Sequence, residues 1–201
     1  MSKIINSLAE LDLSATYSYA DYLLWYFEER VELIKGHIFQ MSPAPSMKHQ
    51  KVSSKLHIKM GNYLYYKKCE LFSAPFDVRL LDKSKSSKAN EEIYTVVQPD
   101  LCIICDRNKL DDRGCIGAPD LIVEILSPGN SKKEMKIKYQ LYEEAGVKEY
   151  WIVFPSEYVL QQFVLNENGK YELKNSYSED EIFSAHIFPD LTVNLEEIFQ
   201  D

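Results

Sequence analysis

The chain has 201 residues, 45% of them apolar and 27% charged, with a formal net charge of −8. That length and balance suit one globular domain with a real core, and the acidity argues against a protein that coats nucleic acid through a broadly basic surface. No apolar run approaches the roughly 18–20 residues that span a bilayer, and the first twenty residues lack the apolar centre of a signal peptide, so a cytoplasmic protein is expected.

In chain order, Ser18 can cap a helix over "YADYLLWYFEE". "RVELIKGHIFQM" alternates around Lys35-Gly36 and predicts a hairpin. "SMKHQKVSSKLHIKMGNYLYYKK" carries Val52, Leu56, Met60 and Tyr63 at helical spacing. "ELFSAPFDVRLL" and "IYTVVQPDLCIIC" read as strands, separated by a polar stretch, 81–92, that reads as a mobile loop. "APDLIVEIL" is apolar on both faces, as in a central strand. A helix follows over "NSKKEMKIKYQLYEEAG", capped by Asn130 or Ser131 and stopped by Gly146. "KEYWIVF" predicts a strand, and the next segment a hairpin turning near Asn168-Gly169. The order implies an α/β or α+β domain, 1–201, with a mixed central sheet flanked by helices and an added C-terminal hairpin.

Of the four cysteines, Cys102 and Cys105 fall in an apolar run and are expected to pack as small hydrophobes. Their C-x-x-C spacing has no second pair to complete a zinc site.

The tripeptide Pro-Asp-Leu occurs three times, at Asp100, Asp120 and Asp190. Beyond the second copy, Glu124 stands among Val123, Ile125 and Leu126, where a buried carboxylate needs a partner. Asp120 and Glu124 lie ~13 Å apart along one strand, too far to share one small cation. Asp100 is the better partner. If the two runs pair as neighbours, Asp100 and Glu124 lie ~5–8 Å apart. On a 100° wheel Lys138 shares its stripe with Glu134, Met135, Leu141, Tyr142 and Ala145, whereas Lys136 points to water. Two strand carboxylates and an inward lysine are the parts of a metal-dependent phosphodiesterase. The same residues also fit a buried salt-bridge network in a non-catalytic binding module.

Lys48, Lys51, Lys55 and Lys59 form a stripe along the second helix, which reads either as a solvated face or as a phosphate contact. His49 projects nearer the apolar side, where it can approach the site or pack at the core edge, and packing is the expectation.

The pieces "VELIKGHIFQMSPAPSMKHQ", "VQPDLCII", "GAPDLIVEILSP" and "KIKYQLYEEAGVKEYWIV" resemble the Uma2 family, over about residues 19–199. That family is similar in fold to the PD-(D/E)XK, restriction-endonuclease-like nucleases. The resemblance implies that Asp100 is the PD aspartate and Glu124 the acid of the second element. It makes Lys138 a lysine displaced from position 126, where this chain has Leu126, and Glu32 an additional N-terminal acid. It further implies Mg²⁺ or Mn²⁺ as cofactor, held by Asp100 and Glu124. DNA would be the substrate, and a homodimer is expected for cutting duplexes.

Overall fold

A computed structural model describes residues 4–41, 45–82, 89–127 and 132–200. In chain order its elements are α1 (Tyr19–Tyr22), β1 (Val31–Ile34), β2 (His37–Gln40), α2 (Met47–Leu64), β3 (Glu70–Ser73), β4 (Val78–Arg79), β5 (Val96–Val97), β6 (Leu101–Ile104), β7 (Leu110–Asp111), β8 (Gly114–Ile116), β9 (Leu121–Ile125), α3 (Lys132–Ala145), β10 (Glu149–Phe154), β11 (Val159–Leu165), β12 (Tyr171–Ser178), β13 (Ile182–Ser184), β14 (Thr192–Asn194) and α4 (Leu195–Phe199).

The expected hairpin forms, with Lys35 and Gly36 both at positive φ (52° and 83°), the requirement of a type I′ turn. A side chain at Gly36 would also collide with Thr16, its Cβ 2.4 Å from Cγ2. Two of the predicted strands are each split by a proline. Pro75 separates β3 from β4, and Pro99 separates β5 from β6. Proline donates nothing to a ladder, so each run breaks and its halves join different sheets. The strands thus divide into two mixed six-stranded sheets, β2-β1-β5-β4-β8-β7 and β12-β11-β10-β9-β6-β3, with β13-β14 as a separate pair. The two crossovers meet where Ala74 N–H donates to the Asp100 carbonyl at 3.2 Å.

The central strands of the second sheet, β6, β9 and β10, are buried on both faces. Leu101, Ile103, Val123 and Trp151 pack with Val52, Leu56 and Met60 of α2 and with Ile198 and Phe199 of α4. Cys102, Ile122 and Ile152, on its other face, pack with Leu141 and Tyr142 of α3 and with Ile34, Val78 and Val97 of the first sheet. A strand covered on both sides has no wet face for polar residues. Leu121 to Ile125 of β9 are accordingly all buried, and all but Glu124 are apolar.

The first helix is shorter than the sequence suggests. Ser18 and Asp21 form the capping box, yet α1 ends at Tyr22. The chain beyond is drawn out by hydrogen bonds between Ile5 and the Leu24–Tyr26 backbone, and Trp25 packs against Tyr17, Tyr22 and Phe27. Gly146 ends α3 as expected, its N–H donating to Tyr142 and Glu143 carbonyls. The proposed caps Asn130 and Ser131, and residues 83–88 of the 81–92 loop, lie outside the described residues. Cys105 does not pack as a free thiol: it pairs with Cys69 in a disulfide between the ends of β6 and β3, because the β3–β6 register sets the two opposite each other. Cys102 is free and buried, as expected.

Candidate active site

The site forms where β6 and β9 pair antiparallel, Leu101 opposite Val123. One step beyond that pairing stand Asp100 and Glu124. Asp100 Oδ2 accepts the Ile125 N–H at 2.7 Å, which pins its carboxylate beside the backbone that carries Glu124. Both residues line one small cleft of about 100 Å³, together with Glu32, His49, Gln98 and Lys138.

Lys138 lies inward on α3, only 8% exposed. Its ammonium donates to Glu124 Oε1 at 2.9 Å and to Glu32 Oε1 at 3.1 Å. Glu32 reaches the cleft from β1 of the first sheet, 3% exposed, and accepts the Gln98 N–H at 2.9 Å. Tyr142, one turn after Lys138, donates its hydroxyl to Glu124 Oε1 at 2.6 Å. Burial pushes the Glu124 carboxyl up to about 7, with Lys138 opposing and Asp100 and Glu32 adding repulsion. Burial alone would lower the Lys138 amine, but Glu124 and Glu32 reverse this and hold it charged.

The structure therefore brings Asp100, Glu124, Lys138 and Glu32 together. Asp120 stands apart: it accepts from Cys105 N–H at 2.8 Å and pairs with Lys148 at 2.6 Å, a structural anchor at the entrance of β9. Lys136 is exposed.

His49 combines the two alternatives the sequence leaves open. It packs at the core edge and its Nε2 meets Asp100 Oδ1 at 3.2 Å, while its buried Nδ1 has no hydrogen-bond partner among the described residues. The Ser46 cap, accepting the His49 N–H at 3.2 Å, sets that first turn of α2. The lysine stripe lies along the C-terminal part of the chain. Lys48 lies over the Tyr158 ring at 3.7 Å, Lys55 donates to the Gln200 carbonyl, and Lys59 is 4.0 Å from Glu197. That flank of α2, which also carries Lys51, is turned to the C-terminal segment because α4 packs there. Gln98, which donates to Glu32, and Tyr142, which donates to Glu124, were not expected in the site. Of these only Tyr142 carried a signal, its place on the Lys138 stripe.

Among the described residues, no three His, Cys, Asp or Glu side chains group closely enough to hold a metal ion by themselves. The donors that face the cleft from Asp100 and Glu124 are hard carboxylate oxygens, the type Mg²⁺ and Mn²⁺ take. Mg²⁺ keeps several waters and needs only one or two protein carboxylates, so the pair fits such an ion in chemistry and number.

Comparison with known proteins agrees with this architecture. The profile of the Uma2 family, described as "Putative restriction endonuclease", matches residues 19–196. The chain belongs to the Uma2 family. An uncharacterized protein of Synechocystis sp. (strain ATCC 27184 / PCC 6803 / Kazusa), slr1290, is 24% identical over 165 residues, 81% of each chain. A crystal structure described as "a putative nuclease belonging to DUF820", from Anabaena variabilis ATCC 29413, superimposes with a TM-score of 0.68. It is 18% identical, and the match covers 91% of this chain and 97% of that one. This Uma2 chain therefore has a nuclease-like α+β fold. Among its described residues no helix is long and apolar enough to cross a membrane.

Proposed function

We propose that this Uma2 protein is a Mg²⁺- or Mn²⁺-dependent endonuclease that hydrolyses phosphodiester bonds in DNA, acting in the cytoplasm as a homodimer. The observation that carries the reading is the convergence of Asp100, Glu124, Glu32 and Lys138, from two sheets and one helix, on a single cleft. A divalent ion held by Asp100 and Glu124 would polarise a phosphate oxygen and lower the pKa of a water. The chain's own groups do the rest. The Ile125 N–H fixes Asp100, and the Tyr142 hydroxyl fixes Glu124. Lys138, kept protonated by its two carboxylates, is a ready donor to charge developing on the phosphate. Glu32 shares that ammonium with Glu124, which sets where the amine stands.

The test is cleavage of plasmid and single-stranded DNA with Mn²⁺. Glu124→Ala should abolish it. Lys138→Ala should abolish it while leaving metal uptake largely intact, whereas Lys136→Ala, which changes net charge equally, should do neither. Equal cleavage by all variants would remove the mechanism.

A second reading is favoured by one observation: Lys138 already bridges Glu32 and Glu124 in a complete buried network. In that case the chain is a non-catalytic, nuclease-like interaction module. Calorimetry with Mg²⁺ and Mn²⁺ separates the two, since only the nuclease requires metal uptake that is lost in Asp100→Asn.

A further inference from the structure

Beside the cleft lies a second hollow, of about 290 Å³, running along α2. Arg30, Pro45, His49 and Asp100 border both spaces, so the groove begins where the carboxylate site ends. Its α2 wall is Gln50, Ser53, Ser54 and His57. On the helix wheel these residues flank the buried stripe on the side opposite the lysines. Gln50, Ser54 and His57 are exposed, whereas Lys48, Lys55 and Lys59 are half-buried against Tyr158 and the C-terminal residues.

The cleft itself is rich in carboxylates, with Glu32, Asp100, Glu124 and Glu134 in its lining. A phosphodiester entering it needs a cation near the mouth. Lys138 is buried and engaged by two carboxylates. Among the described residues, the other lysine or arginine in the lining of either space is Arg30, which is exposed and borders both. Its guanidinium is held in place from behind. One N–H donates to Gln98 Oε1 at 2.8 Å, Gln98 Nε2 donates to Asp77 Oδ1 at 2.9 Å, and Tyr19 hydroxyl donates to Asp77 Oδ2 at 3.1 Å. A guanidinium has five N–H donors, so this anchoring orients the group and leaves donors for a phosphate.

We propose that Arg30 and the groove wall of Gln50, Ser53, Ser54 and His57 form the subsite that holds the nucleic-acid backbone next to the scissile phosphate. This rests on the nuclease reading of the cleft. Arg30 supplies the charge-assisted contact to a phosphate. The hydroxyl, amide and imidazole groups bond phosphate and sugar oxygens, which positions a strand without reading its bases.

The experiment measures binding of a fluorescein-labelled DNA duplex, and of its single strand, to the full chain by anisotropy in Ca²⁺, across a salt series. Cleavage by the wild type in Mn²⁺ is measured alongside, and thermal melts check each variant's fold. Arg30→Gln should weaken binding about tenfold, the effect of one charge-assisted contact, and should lower the salt slope by about one. Ser54→Ala combined with His57→Ala should weaken it severalfold. Lys48→Ala combined with Lys55→Ala should change it less than about twofold. If the lysine pair weakens binding and the groove variants do not, the subsite is wrong, and wild-type cleavage still supports the nuclease. An unchanged salt slope in Arg30→Gln likewise overturns the phosphate contact. If the wild type neither binds nor cleaves DNA, the subsite and the nuclease reading fall together.

Discussion

Replacing Lys138 by methionine keeps most of the buried stem and removes the charged amine with its N–H donors. Two carboxylates then lose their shared cation, Glu124 at 8% exposure and Glu32 at 3%. Each of the two contacts, at 2.9 and 3.1 Å, is a hydrogen bond between charged groups. At about 1.5–3 kcal/mol apiece they sum to about 3–6 kcal/mol, in line with the 3–5 kcal/mol cost of breaking a buried pair. A domain of this size has about 5–15 kcal/mol in total, so the variant should fold but unfold at much lower urea. The loss should be smaller at about pH 6 than at about pH 8. Glu124 has a folded-state pKa raised from its ordinary value to about 7, so the folded state binds the extra proton and stability falls as pH rises toward and through that value. Without Lys138 the carboxyl rises further and the window widens upward. Glu124→Gln in the same chain should recover a good part of the loss, because it removes one of the stranded charges. Mg²⁺ at 100 times its Kd should add about 2.7 kcal/mol to Lys138→Met and nothing comparable to the double variant. Urea melts at the two pH values, with and without Mg²⁺, give all four numbers. A loss below about 1 kcal/mol, or no coupling to Glu124→Gln, would refute the account of Lys138 as the cation of this cluster.

Other expectations bear mainly on the fold. Asp111→Asn should cost about 2 kcal/mol in urea melts, because Arg79, 1% exposed, loses the carboxylate that binds two of its guanidinium nitrogens. Arg79 holds the Asp111 carboxyl below the usual range, so the contribution is full above the unfolded carboxylate pKa and fades as pH falls through the folded one. Glu149→Ala should destabilise by several kcal/mol, about 3 or more. It strands the Trp151 and Gln162 donors and the His186 and Ile187 N–H groups that the fully buried Glu149 carboxylate gathers, and exchange of those amides should rise first. Gly114→Ala should give little folded protein, since its Cβ would stand 2.2 Å from the Asp77 carbonyl at a φ of +126°. Asp120→Asn should lower the melting temperature yet leave any DNA cleavage unchanged, in contrast to Asp100→Asn.

Much of this arrangement is written locally. Helical spacing alone turns Lys138 inward beside Tyr142 and leaves Lys136 in water, because the wheel depends only on position along α3. Strand rise alone separates Asp120 from Glu124, and Lys35-Gly36 alone marks the β1–β2 turn. Tertiary structure decided what depends on residues distant in sequence. Pro75 and Pro99 announce a break, but only the pairing of β3 with β6 and of β4 with β5 shows that the halves serve different sheets. The wheel of α2 yields two polar flanks, and the packing of α4 turns the lysines toward Gln200 and leaves Gln50, Ser54 and His57 beside the groove. Cys69 and Cys105 meet across 36 residues, Arg30 meets Gln98 across 68, and Glu32 meets Lys138 across 106. Such pairs carry no periodicity for a sequence to display, since their distance is set by the fold that closes between them.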